Sequence, residues 1–250
     1  MTALRSLAFN IVMFGTGAAL SIWAHMVKRF RPDAVLDYGM LWARISLRAL
    51  TFLCGVRIQL EGAQYLPKSG PALIAAQHQS AFDTLVWLQL LPRPAYVLKR
   101  ELLDLPLLGP LLLPSGFIAV DRTGGSPALR KMVADCRLAV GQGKQIVIFP
   151  EGTRVPPGSR ATLQPGVVAL AHALDLPVIP AATNSGLFWG RNAFHKRAGR
   201  LRIKISPPLP VCAKRAEILA ALTEIYYDSG VDNSVDQAAA DFVNEASQNF

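Results

Sequence analysis

The chain is poor in the residues on which metal, disulfide and thiol chemistry is built: its 250 residues include three cysteines and four histidines. Cys54, Cys136 and Cys212 are odd in number, widely separated and without histidine at metal-ligand spacing, which excludes a disulfide framework and a zinc site. Each lies in an apolar or helical context, the usual setting of a packing thiol. His25, His172 and His195 have no carboxylate at a suggestive spacing, and His172 on an apolar helical pattern reads as structural. No Gly-x-Ser-x-Gly pentapeptide occurs, so the elbow of a serine hydrolase is missing. There is no internal repeat, no low-complexity tract and nothing that points to a metal or an organic cofactor. Carboxylates are also scarce, with 17 Asp and Glu against 26 Lys and Arg for a net charge of +9.

That charge is unevenly placed. Residues 1–213 hold 24 Lys and Arg against 10 Asp and Glu, whereas residues 214–250 hold 2 against 7. A basic body suits a polyanion, but no helix-turn-helix, zinc or aromatic-rich RNA signature accompanies it, so nucleic acid is not the expected partner. The apolar N-terminus turns the reading toward anionic membrane lipids. Leu7 to Val27 is almost uniformly apolar, broken mainly by Asn10 and His25, and as a helix would be about 31 Å long against a hydrocarbon core of about 30 Å. A cleaved signal peptide is the competing reading, but the apolar run exceeds a usual signal core and no convincing cleavage spacing precedes Lys28. Lys28, Arg29 and Arg31 flank its C-terminal end, which the positive-inside rule places in the cytoplasm, with Arg5 reducing the asymmetry. The next stretch, Val35 to Val56, carries Arg44 and Arg48 four apart on one helical face, the pattern of an interfacial helix or of an ordinary domain helix with solvated arginines.

After residue 56, apolar runs alternate with helical patterns as in an α/β domain. Strands are expected at 57–60, 72–76, 95–98, 117–120, 145–148, 178–182 and 201–205. Helices are expected at 82–91, 127–141, 163–174, 214–227 and 235–246, with a short leucine-rich piece within 102–112. That piece, interrupted by Asp104, Pro106, Gly109 and Pro110, is too broken to span a bilayer; it either lines a route for acyl chains or packs beneath the sheet. The expected organisation is an anchoring helical pair over residues 1–56 and one catalytic domain over 57–250.

Two blocks carry the chemistry. His78-Gln79-Ser80-Ala81-Phe82-Asp83 sets an imidazole and a carboxylate at the exit of an apolar strand. Five residues of helix rotate about 140° net, so the two cannot share a helical face and must converge across a strand-to-helix turn. Neutral imidazole can accept a proton near pH 7, and a carboxylate on its other nitrogen fixes the tautomer. The alternative is local: Ser80 to Asp83 matches a capping box, in which Asp83 only satisfies a backbone N–H. The second block, Phe149-Pro150-Glu151-Gly152-Thr153-Arg154, follows the strand at 145–148 and offers a carboxylate, a turn glycine and a guanidinium. In isolation it would be a turn after a strand.

Together the blocks resemble the glycerophosphate acyltransferase superfamily, and in particular the bacterial 1-acyl-sn-glycerol-3-phosphate (lysophosphatidate) acyltransferases. Between them, Lys99-Arg100-Glu101-Leu102, Pro106, Gly109, Gly116-Phe117-Ile118 and Val120-Asp121-Arg122 resemble the family's middle motif, and Val178-Ile179-Pro180-Ala181 its fourth. The resemblance covers roughly residues 57–206 and departs at Gln77, where the family has Asn, and at Gln164-Pro165, where a basic residue precedes the glycine. It implies a mixed, mostly parallel sheet flanked by helices, with an N-terminal helical pair embedded in one leaflet, so that 7–27 enters a bilayer without crossing. It implies His78 as general base and Asp83 as its orienting partner. The substrates implied are lysophosphatidate and an acyl thioester of acyl carrier protein or coenzyme A, at the cytoplasmic face of a bacterial inner membrane. For the phosphate, Arg154 offers a planar fork and Lys99 a mobile point charge, with Arg122 third. Glu151 then holds Arg154 or Lys99, or bonds a substrate hydroxyl, while Gly152, Thr153 and Gly116 allow close approach. Oxyanion donors are expected among backbone N–H groups at 180–183 or just after His78. Ser80 reads as structural. Acylation of glycerol 3-phosphate, a lyso-ornithine lipid or another lysophospholipid, lipid hydrolysis, and a non-catalytic membrane adaptor are the rival functions.

Overall fold

The computed structural model describes residues 2–228, 230 and 231. The chain opens with two long helices, α1 (Thr2–Val27) and α2 (Val35–Cys54). It continues through β1 (Val56–Glu61), β2 (Ala72–Ala76), α3 (Phe82–Leu90), β3 (Pro94–Lys99), α4 (Gly109–Leu112), β4 (Ile118–Val120), α5 (Gly125–Gly141) and β5 (Gln145–Ile148). Then follow α6 (Gly166–Leu174), β6 (Val178–Thr183), α7 (Ser185–Phe188), β7 (Gly199–Ile205) and α8 (Arg215–Tyr227). The helix expected at 235–246 lies outside the described residues. Seven strands form one sheet in the order β1-β7-β6-β2-β5-β3-β4, parallel throughout except for β6 against β7. That exception has a local cause. The chain leaving β6 forms only the single turn of α7 and a loop before returning, so it never crosses a sheet face as a parallel connection must.

Strand alternation divides the core in two. Ala72, Ile74, Ala76, Val147, Ile179, Ala181, Leu201 and Ile203 join one cluster, roofed by α1, α2 and α3 through Phe9, Leu47, Leu50, Phe82 and Trp87. Leu73, Ala75, Ile146, Ile148, Val178 and Ala182 join the other, roofed by α5, α6 and α8 through Cys136, Leu170, Leu222 and Tyr226. Phe9, Leu50 and Leu201 are fully buried, each worth roughly 1.5–3 kcal/mol of transfer free energy. The N-terminal pair is therefore built onto the sheet. A loop fastens it further: the Lys196 N–H donates to Ser6 Oγ at 3.0 Å, and its Nζ donates to Asn10 Oδ1 at 2.7 Å. That ammonium sits 5.1 Å from the Phe9 ring centre and 5.0 Å from that of Trp189. Burial lowers the Lys196 pKa.

The opposite side of α1 is bare. Ile11, Phe14, Ile22 and Met26 are exposed, and Phe30 beyond it is 83% exposed, while Trp23 on the flank donates its indole N–H to the Tyr38 hydroxyl of α2 at 3.0 Å. Among the described residues α1 is the one helix long and apolar enough to cross a membrane. In the leucine-rich stretch Leu111 and Leu112 are buried, while Leu102, Leu105, Leu107, Leu108 and Leu113 face outward. Leu111 packs with Ala24 and Val35, joining this stretch to the end of α1. Arg44 of the second helix donates to Gln89 Oε1 of α3 at 3.3 Å.

Candidate active site

β2 lies near the middle of the sheet, and the chain leaving its C-terminal end turns through residues 77–81 into α3. His78 stands in that turn, with its Nδ1 3.3 Å from Asp83 Oδ2. The same oxygen accepts the N–H groups of Gln79 and Ser80, both at 2.7 Å. Ser80 Oγ accepts the Phe82 N–H at 3.1 Å. One buried carboxylate in the first turn of α3, where the helix dipole favours negative charge, thus meets both the imidazole and the backbone N–H groups of the turn. A carboxylate can only accept, so the neutral imidazole carries its hydrogen on Nδ1 and leaves Nε2 as an acceptor. The ring stacks on Phe149 at 4.2 Å between centroids, and Phe149 lies 6.2 Å from Tyr96 in a similar plane. The His78 side chain is 13% exposed, with Phe149 against one face of the ring.

The second block closes on the first through the backbone. The Val155 N–H donates to the His78 carbonyl at 2.8 Å, and the His78 N–H donates to Glu151 Oε2 at 2.5 Å. Glu151, 4% exposed, accepts the Tyr227 hydroxyl on its other oxygen at 2.6 Å. The expectation that Glu151 braces Arg154 or Lys99 is corrected in favour of a carboxylate bridging the backbone of the base and the last turn of α8. The physical reason is burial: an enclosed carboxylate needs donors on both oxygens, and the His78 N–H and the Tyr227 hydroxyl supply one to each.

Arg154 is half-buried, and burial lowers its guanidinium pKa, opposed by the Asp83 charge and reinforced by that of Arg191. Arg122, on the loop after β4, donates to the Gly152 carbonyl. Gly152 adopts φ 72°, a conformation that side chains rarely take. Arg122, Gly152, exposed Thr153 and Arg154 therefore gather at one rim beside His78. Lys99 lies at the end of β3, half-exposed and paired with Glu101 at 2.9 Å. Gly116 is placed elsewhere. It lines a cavity of about 910 Å³ beside edge strand β4, bounded also by Leu103, Phe117, Lys131 and Lys144, and a Cβ there would collide with Lys144.

Several backbone donors anticipated for an oxyanion are already engaged: those of Gln79 and Ser80 by Asp83, and that of Thr183 by Gln77 Oε1 at 3.0 Å. Gln77, one of the departures from the family pattern, also donates to the Tyr226 carbonyl at 3.3 Å, tying β2 to β6 and α8. At the other departure, the Gln164 N–H donates to the Pro150 carbonyl at 2.7 Å. Sequence reasoning missed Tyr227, Arg191 and the stacking role of Phe149. Phe149 alone left a trace, as an aromatic between an apolar strand and the Pro-Glu-Gly turn.

Known proteins resemble this chain in sequence and in fold. The sequence model of the Acyltransferase family matches residues 57–184. A 1-acyl-sn-glycerol-3-phosphate acyltransferase of Pseudomonas aeruginosa is 31% identical over 183 residues, spanning 73% of this chain and 71% of that protein. The bovine 1-acyl-sn-glycerol-3-phosphate acyltransferase alpha is 29% identical over 183 residues, spanning 72% of this chain and 64% of that one. The crystal structure of the 1-acyl-sn-glycerophosphate (LPA) acyltransferase PlsC from Thermotoga maritima aligns with a TM-score of 0.70 at 20% identity, covering 93% of this chain and 95% of that one, a likeness of fold.

Proposed function

The chain belongs to the acyltransferase family, and from that premise we propose that it acylates the sn-2 hydroxyl of 1-acyl-sn-glycerol 3-phosphate to give phosphatidate, drawing the acyl group from a thioester of acyl carrier protein or coenzyme A. The observation that carries this reading is the His78–Asp83 pair, its Nε2 directed away from the carboxylate, beside the rim that bears Arg122 and Arg154. His78 Nε2 takes the hydroxyl proton as the oxygen attacks the thioester carbonyl, and Asp83 stabilises the imidazolium that forms. The new C–O bond makes a tetrahedral intermediate; its collapse breaks the C–S bond, and the sulfur leaves with the proton from the imidazolium. No acyl-enzyme is needed. Arg154 binds the phosphate monoester through paired N–H groups, Arg122 and Lys99 add positive charge, Gly152 holds Arg122 at the rim through its carbonyl, and Glu151 holds the His78 backbone.

Membrane attachment belongs to the same proposal. Residues 1–56 serve as the anchor and 57–250 as the catalytic domain, working at the cytoplasmic face of a bacterial inner membrane. The bare apolar side of α1, the outward leucines at 102–113 and the basic flank Lys28, Arg29 and Arg31 support contact with anionic lipid.

The test is an assay of the full-length chain in phospholipid bilayers. Lysophosphatidate, glycerol 3-phosphate and a lyso-ornithine lipid are each paired with acyl carrier protein and coenzyme A thioesters, and products are resolved by mass spectrometry. Phosphatidate formed in preference to other acyl products supports the reading. Preferred acylation of another acceptor reassigns the substrate, thioester loss without acyl transfer identifies a hydrolase, and no turnover with any pair leaves a lipid-binding adaptor.

A further inference from the structure

The family match ends at residue 184, whereas α8 occupies Arg215–Tyr227, yet the last turn of α8 is stitched to the catalytic turn. Tyr227 donates its hydroxyl to Glu151 Oε1, and Glu151 Oε2 receives the N–H of His78. The Tyr226 carbonyl receives Gln77, the residue that precedes the base. From the outer side, the Ala161 N–H donates to the Tyr227 hydroxyl at 3.2 Å, and Arg160 lies 5.7 Å above the Tyr227 ring while pairing with Asp228. A carboxylate buried beside a base must have its oxygens matched by donors, and its rotation about the terminal torsion is otherwise broad. With Oε1 held by a phenol that is itself fixed from two sides, Oε2 has one orientation, and the His78 backbone takes its place from it.

We propose that Tyr227 is a positioning residue for acyl transfer: its hydroxyl fixes Glu151, and through Glu151 it sets the backbone of His78 and the location of Nε2 relative to the acceptor hydroxyl. The inference rests on the acyl-transfer reading above. It extends the working site to a helix outside the family-matched segment and assigns Gln77 and Tyr226 to the seam rather than to the chemistry. The effect of Tyr227 is on the turnover step. Substrate contacts lie on Arg122, Arg154 and Lys99, none of which the hydroxyl touches, so affinity for both substrates should be preserved.

The test compares the full-length wild type with Tyr227→Phe, Tyr226→Phe, Glu151→Gln and the double variant Glu151→Gln/Tyr227→Phe in bilayers. Tyr226→Phe is the control, because the Tyr226 hydroxyl is buried without a hydrogen-bond partner among the described residues. Tyr227→Phe should lower kcat roughly 10- to 100-fold, the scale of a small misplacement of a reacting group. KM for lysophosphatidate and thioester should stay within about twofold, and Tyr226→Phe should match wild type. The double variant should be no slower than Glu151→Gln, since both changes break one chain of contacts. Hydrogen exchange at the His78 amide should accelerate about tenfold in Tyr227→Phe and not in Tyr226→Phe. A folded Tyr227→Phe with wild-type kcat, equal losses in the two tyrosine variants, additive losses in the double variant, or unchanged exchange at His78 would each overturn the proposal. If wild type acylates no acceptor, the functional reading fails separately, and the exchange measurement still decides whether Tyr227 holds the base.

Discussion

Replacing Asp83 by asparagine and by alanine separates two tasks that this one side chain performs. Its Oδ2 accepts the N–H groups of Gln79 and Ser80 at 2.7 Å each and meets His78 Nδ1 at 3.3 Å. Alanine leaves two buried donors of a tight turn without their acceptor. At about 1.5–3 kcal/mol per hydrogen bond to a charged group, the loss is roughly 3–6 kcal/mol, a large share of the 5–15 kcal/mol that holds a typical domain together. For a chain of this size the thermal midpoint should fall by roughly 6–24 °C. Asparagine keeps one acceptor oxygen for the turn but removes the charge that stabilises the imidazolium, so the midpoint should move by a few degrees while kcat falls by about 10²- to 10⁴-fold. Thermal unfolding and initial rates of acyl transfer, measured on the same preparations, give both numbers. A folded Asp83→Asn enzyme with wild-type turnover would reduce Asp83 to a cap. Wild-type stability in Asp83→Ala would mean that the turn does not depend on its carboxylate.

Other substitutions probe the remaining parts. Arg154→Lys keeps the charge but loses the fork, and should raise the lysophosphatidate KM by about 10- to 150-fold with little change for the thioester; an unchanged acceptor KM in steady-state kinetics would move the phosphate to Arg122. Phe14→Ser and Ile22→Ser, both on the bare side of α1, should each weaken vesicle binding about tenfold without altering the fold, and undiminished co-sedimentation of the double variant would remove α1 as the anchor. These changes are cleaner than deleting residues 1–56, which would also strip Phe9 and Leu50 from the core. Exposed Cys212 should alkylate first at pH 8, and Cys136, whose thiol burial pushes up to about 12, should stay unmodified until unfolding; rapid labelling of Cys136, read by mass spectrometry, would contradict its burial.

What the sequence made legible is what short-range periodicity and local turns encode. The strand at 72–76 and the strand at 145–148 appear with the expected bounds because both are apolar, Gln145 apart, and end at a marked turn. The convergence of His78 and Asp83 was readable because five residues span the turn that joins them. Long-range pairings had no such signal. Tyr227 reaches Glu151 across 76 positions, and Lys196 reaches Asn10 across 186. Nothing in the composition of either neighbourhood marks the partner. The bridging role of Glu151 was hidden for the same reason: the donors that matter to it are a backbone N–H and a phenol, neither of which leaves a charge pattern. The single antiparallel pair was likewise set by the path of a loop, since a seven-residue strand with alternating burial reads the same in either direction.

The clasp formed by Lys196 with Asn10, Ser6 and the rings of Phe9 and Trp189 has a mechanical consequence. Held at these points and by the shared core, α1 cannot rock on a hinge; it moves with the sheet as one lever. A helix in a bilayer changes its tilt when the hydrocarbon layer thins or thickens. With α1 in a bilayer, that tilt passes to the sheet and alters the height of His78 above the lipid. If α1 is the anchor as proposed, vesicles of graded acyl length should show a rate optimum that Lys196→Ala flattens by loosening the lever at its fulcrum, and a rate indifferent to acyl length would refute the lever.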